Sequence, residues 1–324
     1  MTSGKSVLVI GDVMVDKYFT GIVSRISPEA SVPILDVKSI TDFPGGAANV
    51  AVNVNAAGFK PVVLSVIGND REGRTLLDLF DKYGIDKDGL IISETRKTTV
   101  KQRFISNNRQ IFRADIEDVN NISTDEENRI IEKTASWLES KDISIVILQD
   151  YNKGVLTANV IEKVIKLVNS KGIQVCVDPK KLNFDRYDNV FLFKPNQREF
   201  SDYIGRELSD DELEVAVKDF QNKHHIENVL LTRGAKGVVM FSEYGNKVKY
   251  IPSNERQVAD VTGAGDTVIS IMSVCLISGM SVENSASIAN AAGGFVCGKP
   301  GVAFISRDEL LQFVKKESGS CNIF

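Results

Sequence analysis

The sequence predicts an α/β protein on a mainly parallel sheet, and three observations carry that expectation. Short apolar runs alternate with helical patterns along the chain, the rhythm of β-α units. Capping signals open several helical stretches: in Ser123-Thr-Asp-Glu126, Ser209-Asp-Asp-Glu212 and Ser306-Arg-Asp-Glu309 the Ser and Glu can satisfy orphan amides reciprocally. Polar and charged residues gather just after the apolar runs, where an open parallel sheet binds ligands.

In chain order, the first strand is the run Val7–Ile10, with Gly11, Asp12 and Asp16 beyond it. Val13 to Pro44 holds strand-like pieces at Lys17–Thr20 and Val32–Val37 with little helical periodicity. Pro44-Gly-Gly-Ala-Ala-Asn49 opens a helix; its small residues suit either close approach of backbone to a ligand or tight helix-on-sheet packing. Val62–Val66 is the next strand, and Gly84 stops the helix that follows. Thr98 to Arg113 reads as a hairpin around Ser106-Asn-Asn108. Strands continue at Ile143–Leu148, Ile173–Val177 (after a helix stop at Gly172), Val190–Phe193, Val229–Leu231 and Val238–Phe241. The apolar run Thr267–Met280 is a long helix. The two β excursions, about 13–44 and 98–113, either form one small sheet, a lid over the site, or add edge strands to the main sheet. The 324 residues would suit two domains, but α/β folds often use such a length as one, and a single domain over 1–324 is expected.

Composition excludes several classes. The chain has 39 Lys plus Arg against 43 Asp plus Glu, a net charge of −4, so no basic stripe for nucleic acid or anionic lipid is expected. The partner is then a small molecule or a protein. The only histidines, His224 and His225, cannot build a multi-imidazole zinc site and argue against a Ser-His-Asp triad. Cys176, Cys275, Cys297 and Cys321 show no C-x-x-C spacing and suit a reducing compartment. The apolar stretch after Met1–Lys5 is too short for a signal peptide, and no run reaches membrane-span length. A cytoplasmic protein is expected.

Chemistry concentrates in Asp260-Val-Thr-Gly-Ala-Gly-Asp266. Glycines ahead of a long helix leave its first amides free to point at an anion. A carboxylate in the same first turn suits a general base that takes a proton from an attacking hydroxyl while the amides hold the transferred charge. The plainer reading is a turn with Asp266 as a helix cap. Gly293-Gly-Phe-Val-Cys-Gly298-Lys299 imitates a phosphate loop, but Pro300 stands where Ser or Thr should hold magnesium, and a helical pattern precedes it. It is rejected. Further polar groups end the strands: Asp150 and Lys153, Asp178-Pro-Lys180, Lys194-Pro-Asn196-Gln-Arg-Glu199 and Thr232-Arg-Gly234.

Taken together, Gly11-Asp12 and Asp16, Gly45-Gly46 with Asn49, Asn196-x-x-Glu199, Thr232-Arg-Gly234 and Asp260 to Asp266 resemble the ribokinase-like (phosphofructokinase-B type) carbohydrate kinases over essentially the whole chain. The resemblance implies a three-layer α/β/α sandwich with a small β lid, often shared across a homodimer. Ser24-Arg-Ile-Ser-Pro-Glu-Ala30 with Val32-Pro33, Gln110-Ile-Phe-Arg113 with Asp115, and Asp150-Tyr-Asn-Lys-Gly154 are most similar to the branch acting on D-glycero-β-D-manno-heptose 7-phosphate. Two positions depart from that branch: Gln149, where a small residue is expected, and Asn152, where Ala is usual. Some relatives carry a fused nucleotidyltransferase domain; the end of this chain soon after its last helical pattern implies a free-standing kinase.

The resemblance also distributes roles. ATP would phosphorylate the anomeric hydroxyl to give the 1,7-bisphosphate, a precursor for ADP-heptose and lipopolysaccharide, with Asp266 as base and the amides of Gly263, Ala264 and Gly265 holding the phosphoryl charge. Glu199, with Asn196, would organise Mg2+ through water. Thr232 and Gly234 would contact nucleotide phosphates and Asn290 the adenine. Asp16, Gly45, Gly46, Asn49, Gln110 and Asp150 would read the sugar, with Arg113 and Lys153 as candidates for its phosphate. A monovalent cation is a further candidate cofactor. Kinases of ribose, fructose, a fructose phosphate or a nucleoside, a non-catalytic sensor, and a structural or interaction protein remain the alternatives.

Overall fold

The computed structural model describes residues 5–253, 260–299 and 301–318. Met1–Gly4, Pro300 and Cys321 lie outside them. In chain order the strands are β1 (Ser6–Gly11), β2 (Val13–Ile26), β3 (Pro33–Gly46), β4 (Lys60–Gly68), β5 (Leu90–Ser93), β6 (Thr99–Ser106), β7 (Arg109–Ile116), β8 (Ile143–Gln149), β9 (Gln174–Asp178), β10 (Leu192–Phe193), β11 (Asn228–Thr232), β12 (Val238–Ser242) and β13 (Lys247–Ile251). The helices are α1 (Ala47–Ala56), α2 (Arg71–Lys82), α3 (Thr124–Ser140), α4 (Ala158–Ser170), α5 (Gln197–Ile204), α6 (Asp210–His224), α7 (Ala264–Ile277), α8 (Val282–Cys297) and α9 (Arg307–Ser318).

The main sheet has the order β13-β12-β11-β10-β9-β8-β1-β4-β5. It is parallel from β11 to β5, and β12 and β13 run antiparallel at one edge. Strand β1 shows why both faces are covered. Val7 and Val9 enter the core shared with α1, α7 and α8, while Leu8 and Ile10 enter the opposite core with α4 and α6. A strand buried on both faces reads as a continuous apolar run rather than an alternation, which made β1, β4, β8 and β9 legible. The edge strands β5 and β13 escaped notice because exposed residues break their apolar runs, four of the five in β13. Expected strand Val190–Phe193 shrinks to Leu192–Phe193, since Val190 and Phe191 belong to the approach rather than the ladder. Serine–glutamate boxes cap α3, α6 and α9 as expected. The rejected phosphate-loop imitation lies within and just after α8.

The two β excursions join in one separate sheet, order β3-β2-β6-β7. The expected short pieces in 13–44 are two strands of 14 residues each. Asn107 and Asn108, both at left-handed φ, turn the β6–β7 hairpin. Chain order runs outward from β1 in both directions across the main sheet, through β4 on one side and β8 on the other. A topological switch point therefore lies between β1 and β8, and their carboxyl ends are the position where such sheets bind ligands.

Candidate active site

The loops at that switch point are tied down by Asp12. Its carboxylate accepts the amide N–H groups of Tyr151 (2.8 Å), Lys153 (3.0 Å) and Val155 (3.1 Å), lashing the segment after β8 to the end of β1. Burial raises this carboxyl, and the amides oppose the rise. Asp150 is turned inward as well. It accepts from Asn152 N–H (2.7 Å), Asn183 Nδ2 (2.9 Å) and the Tyr187 hydroxyl (2.8 Å), and burial, then Asp12, pushes it up to about 6. With 1% exposure, Asp150 anchors the loop through these three bonds, as Asp12 does from the end of β1.

What the anchored loop presents is Tyr151, whose hydroxyl donates to Asp266 Oδ1 at 2.8 Å. Burial, then Asp266, keeps this phenol well above its ordinary value, so it stays protonated as a donor. Asp266 also accepts from Asn49 Nδ2 (2.6 Å) and Gln149 Nε2 (3.0 Å). Burial pushes its carboxyl up to about 6, with Asp178 adding to the rise and Asn49, Tyr151 and Lys194 opposing it. Asp266 lies in the first turn of α7, after Gly263 at φ 79°. A Cβ on Gly263 would stand 2.7 Å from Asn49 Nδ2, so the glycine admits both the left-handed turn and the Asn49–Asp266 bond. Asn49 itself comes from the first turn of α1, behind Gly46 at φ 59°.

Beside α7 opens a cleft of about 1140 Å³, lined by Lys180, Lys194, Asn196, Glu199, Thr232, Gly234 and Gly265 among others. Asn196 and Glu199 form the capping box of α5. The other Glu199 oxygen pairs with the Lys180 amine. Burial works to lower that amine, and Asp178 and Glu199 outweigh it. Lys180 also lies 5.4 Å from the Tyr151 ring centre. Among the described residues no three or more His, Cys, Asp or Glu side chains converge as a metal cage. A magnesium ion held mainly by phosphate oxygens and water needs only one or two carboxylates, and Glu199 on the cleft wall fits that demand.

The small sheet approaches the site at Tyr151. Asp16 pairs with Arg103, and Gly45 lets it do so: a Cβ there would meet Asp16 Oδ2 at 2.5 Å. Lys101, on the same face of β6 as Arg103, lies 4.9 Å from the Tyr151 ring centre. Burial lowers its amine, and it makes no ion pair among the described residues. Arg113 stands opposite Arg103 in the β6–β7 register.

A match to the family model described as pfkB family carbohydrate kinase covers residues 5–309. The chain belongs to that family. Members of the pfkB family are carbohydrate kinases. It is 39% identical over 311 residues to the Bifunctional protein HldE of Caulobacter sp. (strain K31), covering 95% of this chain and 62% of that protein. The Bifunctional protein HldE of Shewanella sp. (strain ANA-3) is 36% identical over 313 residues, 97% of this chain and 64% of that one. The chain thus spans less than two thirds of the curated relatives it matches. Phosphofructokinase-2 from Escherichia coli in complex with substrates and products superposes with a TM-score of 0.78 at 18% identity, covering 96% of this chain and 99% of that one. Arabidopsis thaliana ribokinase complexed with ribose and ATP gives 0.75 at 19%, covering 96% and 99%. These two confirm the ribokinase-like sandwich with its small separate sheet.

Against the pfkB expectations, the structure brings Asp266, Gly263, Ala264, Gly265, Asn49, Gly46, Gly45 and Asp16 together, and sets Asn196, Glu199, Thr232 and Gly234 along the cleft. Lys153 pairs with Glu117 at 2.8 Å, its side chain 15% exposed. Arg113 pairs with Asp115 at 3.0 Å. Gln110 is exposed on β7. Asn290 donates to the Pro252 carbonyl at 2.9 Å and does not line the cleft. Tyr151, Lys101 and Arg103 were missed: nothing in a strand pattern says that a cation on β6 will stand over a tyrosine from the loop after β8. No helix among the described residues is long and apolar enough to cross a membrane.

Proposed function

We propose that the protein transfers the γ-phosphoryl group of ATP to the anomeric hydroxyl of D-glycero-β-D-manno-heptose 7-phosphate. The observation that carries the substrate choice is the set Lys101, Arg103 and Arg113 on one face of the small sheet, with Lys101 half-buried, free of an ion pair among the described residues, and beside the Tyr151 that touches Asp266. A half-buried amine without an ion pair favours an anionic partner, and an unphosphorylated sugar provides none. The HldE relatives support the same choice.

In this reading the anomeric oxygen bonds to the γ-phosphorus as its proton passes to Asp266, and the bond to the bridging oxygen of ADP breaks. The amides of Gly263, Ala264 and Gly265 hold the charge of the group in transit. Asp16, held by Arg103, and Asn49 orient the sugar, and Thr232 and Gly234 the nucleotide. Glu199, through water, would hold magnesium, which would supply charge neutralisation at the phosphates. A monovalent cation is a further candidate: phosphofructokinase-2 from Escherichia coli has a structure in complex with potassium.

Residues 1–324 act as one cytoplasmic kinase domain in this reading, with the small sheet as its lid. The outer lid face would join two copies, since Ile40, Phe19, Phe104 and Phe112 run across its four strands in register. Ile40 is 58% and Phe112 61% exposed, the mark of an interaction surface. The product would feed synthesis of a nucleotide-activated heptose.

ADP release with magnesium and ATP, measured on the heptose 7-phosphate, fructose 6-phosphate, fructose and ribose, tests the substrate. Strong preference for the heptose phosphate is expected. Preference for an unphosphorylated sugar would overturn the reading of Lys101, Arg103 and Arg113.

A further inference from the structure

Where β1, β8 and β9 end, two carboxylates are buried side by side, Asp178 at 7% exposure and Asp266 at 3%. One side chain spans them. Gln149 Nε2 donates to Asp178 Oδ2 and to Asp266 Oδ1, both at 3.0 Å. The flipped amide would turn its carbonyl oxygen onto two carboxylate oxygens, so the neighbours dictate the orientation. Gln149 is 1% exposed, and its Oε1 has no partner among the described residues. A glutamine is kept there with one polar atom unsatisfied, at a cost, for what its nitrogen does.

The two carboxylates are otherwise unlike. Asp178 has its own cation, Lys194, at 3.0 Å, with both side chains nearly buried. Asp266 takes only neutral donors: Asn49, Gln149 and Tyr151. The charged groups facing this pair are Lys194 from the end of β10, Lys180 (paired with Glu199) from beyond β9, and Lys101 and Asp16 from the small sheet over Tyr151. Two ionised carboxylates in contact repel, and one takes up a proton unless donors stand between them. Lys194 pairs with Asp178 while Asp266 has no such cation, so the Asp266 carboxyl, raised by burial and then by Asp178, bears the repulsion.

We propose that Gln149 is a positioning residue that separates Asp266 from the Asp178–Lys194 pair, fixing the Asp266 carboxylate in its rotamer and in its proton-accepting form. The proposal rests on the reading of Asp266 as the acceptor. It also explains why the amide sits where a small residue was expected: a smaller side chain leaves the space between the carboxylates to water.

The test needs no sugar. Free protein labelled with 13C at the aspartate carboxyls is titrated by NMR, and the Asp266 resonance is identified by its loss in Asp266→Asn. Gln149→Met keeps length and approximate volume while removing the donor. Its Asp266 midpoint is expected to rise by about 1 pH unit, because a hydrogen bond to the ionised form is lost. An unmoved or lower midpoint overturns the proposal. Should Gln149→Met fail to fold, Gln149→Leu, which also removes the donor without opening room for water, gives the same reading, an upward shift supporting the proposal and none overturning it. Turnover separates this from the acceptor reading. If Asp266→Asn turns over like the wild type, the acceptor role falls whatever the midpoint does. If Asp266→Asn is inactive and the midpoint is unmoved, only the role of Gln149 falls.

Discussion

Asp266 is surrounded by donors, yet its burial outweighs them and its carboxyl is pushed up to about 6. For catalysis the consequence is an acid limb: kcat should fall as pH drops through about 6 and the acceptor fills, read from a pH–rate profile. Asp266→Asn should lose about 10²–10⁴-fold in kcat, with ATP affinity, measured by calorimetry, within a few-fold of wild type. The sign for stability is opposite. The folded pKa lies above the unfolded one, so the group's contribution is fully present below about 4 and is lost as pH rises through about 6, an effect on the order of 2–3 kcal/mol. Between pH 4.5 and 7.5 the Tm of Asp266→Asn should therefore decline less than that of the wild type. An equal decline would place the titrating group elsewhere, with Asp150, also pushed up to about 6, the next to examine.

Helix starts divide into those that only stop fraying and those that face the cleft. Ser123 and Ser209 cap α3 and α6 and do not themselves line the cleft. Asn196 and Glu199 use the same box on α5, but there Glu199 also lines the cleft and holds Lys180. Glutamine serves at the third position of such a box as well as glutamate. Glu199→Gln should thus keep its Tm near the wild type while kcat with magnesium and ATP falls at least 10-fold. A matching loss of both would reduce Glu199 to a cap. At the start of α7, Gly263→Ala should cost about 1–2 kcal/mol from the left-handed φ. Activity should fall further than stability, because the new methyl displaces Asn49 from Asp266.

At the scale of the whole molecule, the apolar outer face of the small sheet predicts assembly. Sedimentation should show a dimer that Phe112→Lys dissociates while the isolated chain stays folded by circular dichroism. A wild-type chain that sediments as a monomer at all concentrations would remove the lid-to-lid pairing.

How much of this was legible follows from the range of the forces involved. The β-α rhythm, the capping serines and the glycine turn before Asp266 are local: burial on both faces makes an apolar run, and orphan amides call for a cap within three residues. Those signals placed β1, β8, α3, α6 and α7 and singled out Asp266, Asn49 and Glu199. What tertiary structure alone decided is which strand-end groups meet. Asp12 and Asp150 sit beside Asp16 and Lys153 in sequence, yet folding turned the first two inward as anchors and left Asp16 with Arg103 from a strand far along the chain. Gln149 came between Asp178 and Asp266 in the same way, through the parallel neighbours β8 and β9 and the helix laid across them. Contacts between residues distant in sequence depend on strand order and register, which no local pattern encodes, so the chain alone determined the family and pointed to Asp266, and the packed structure decided which groups surround it.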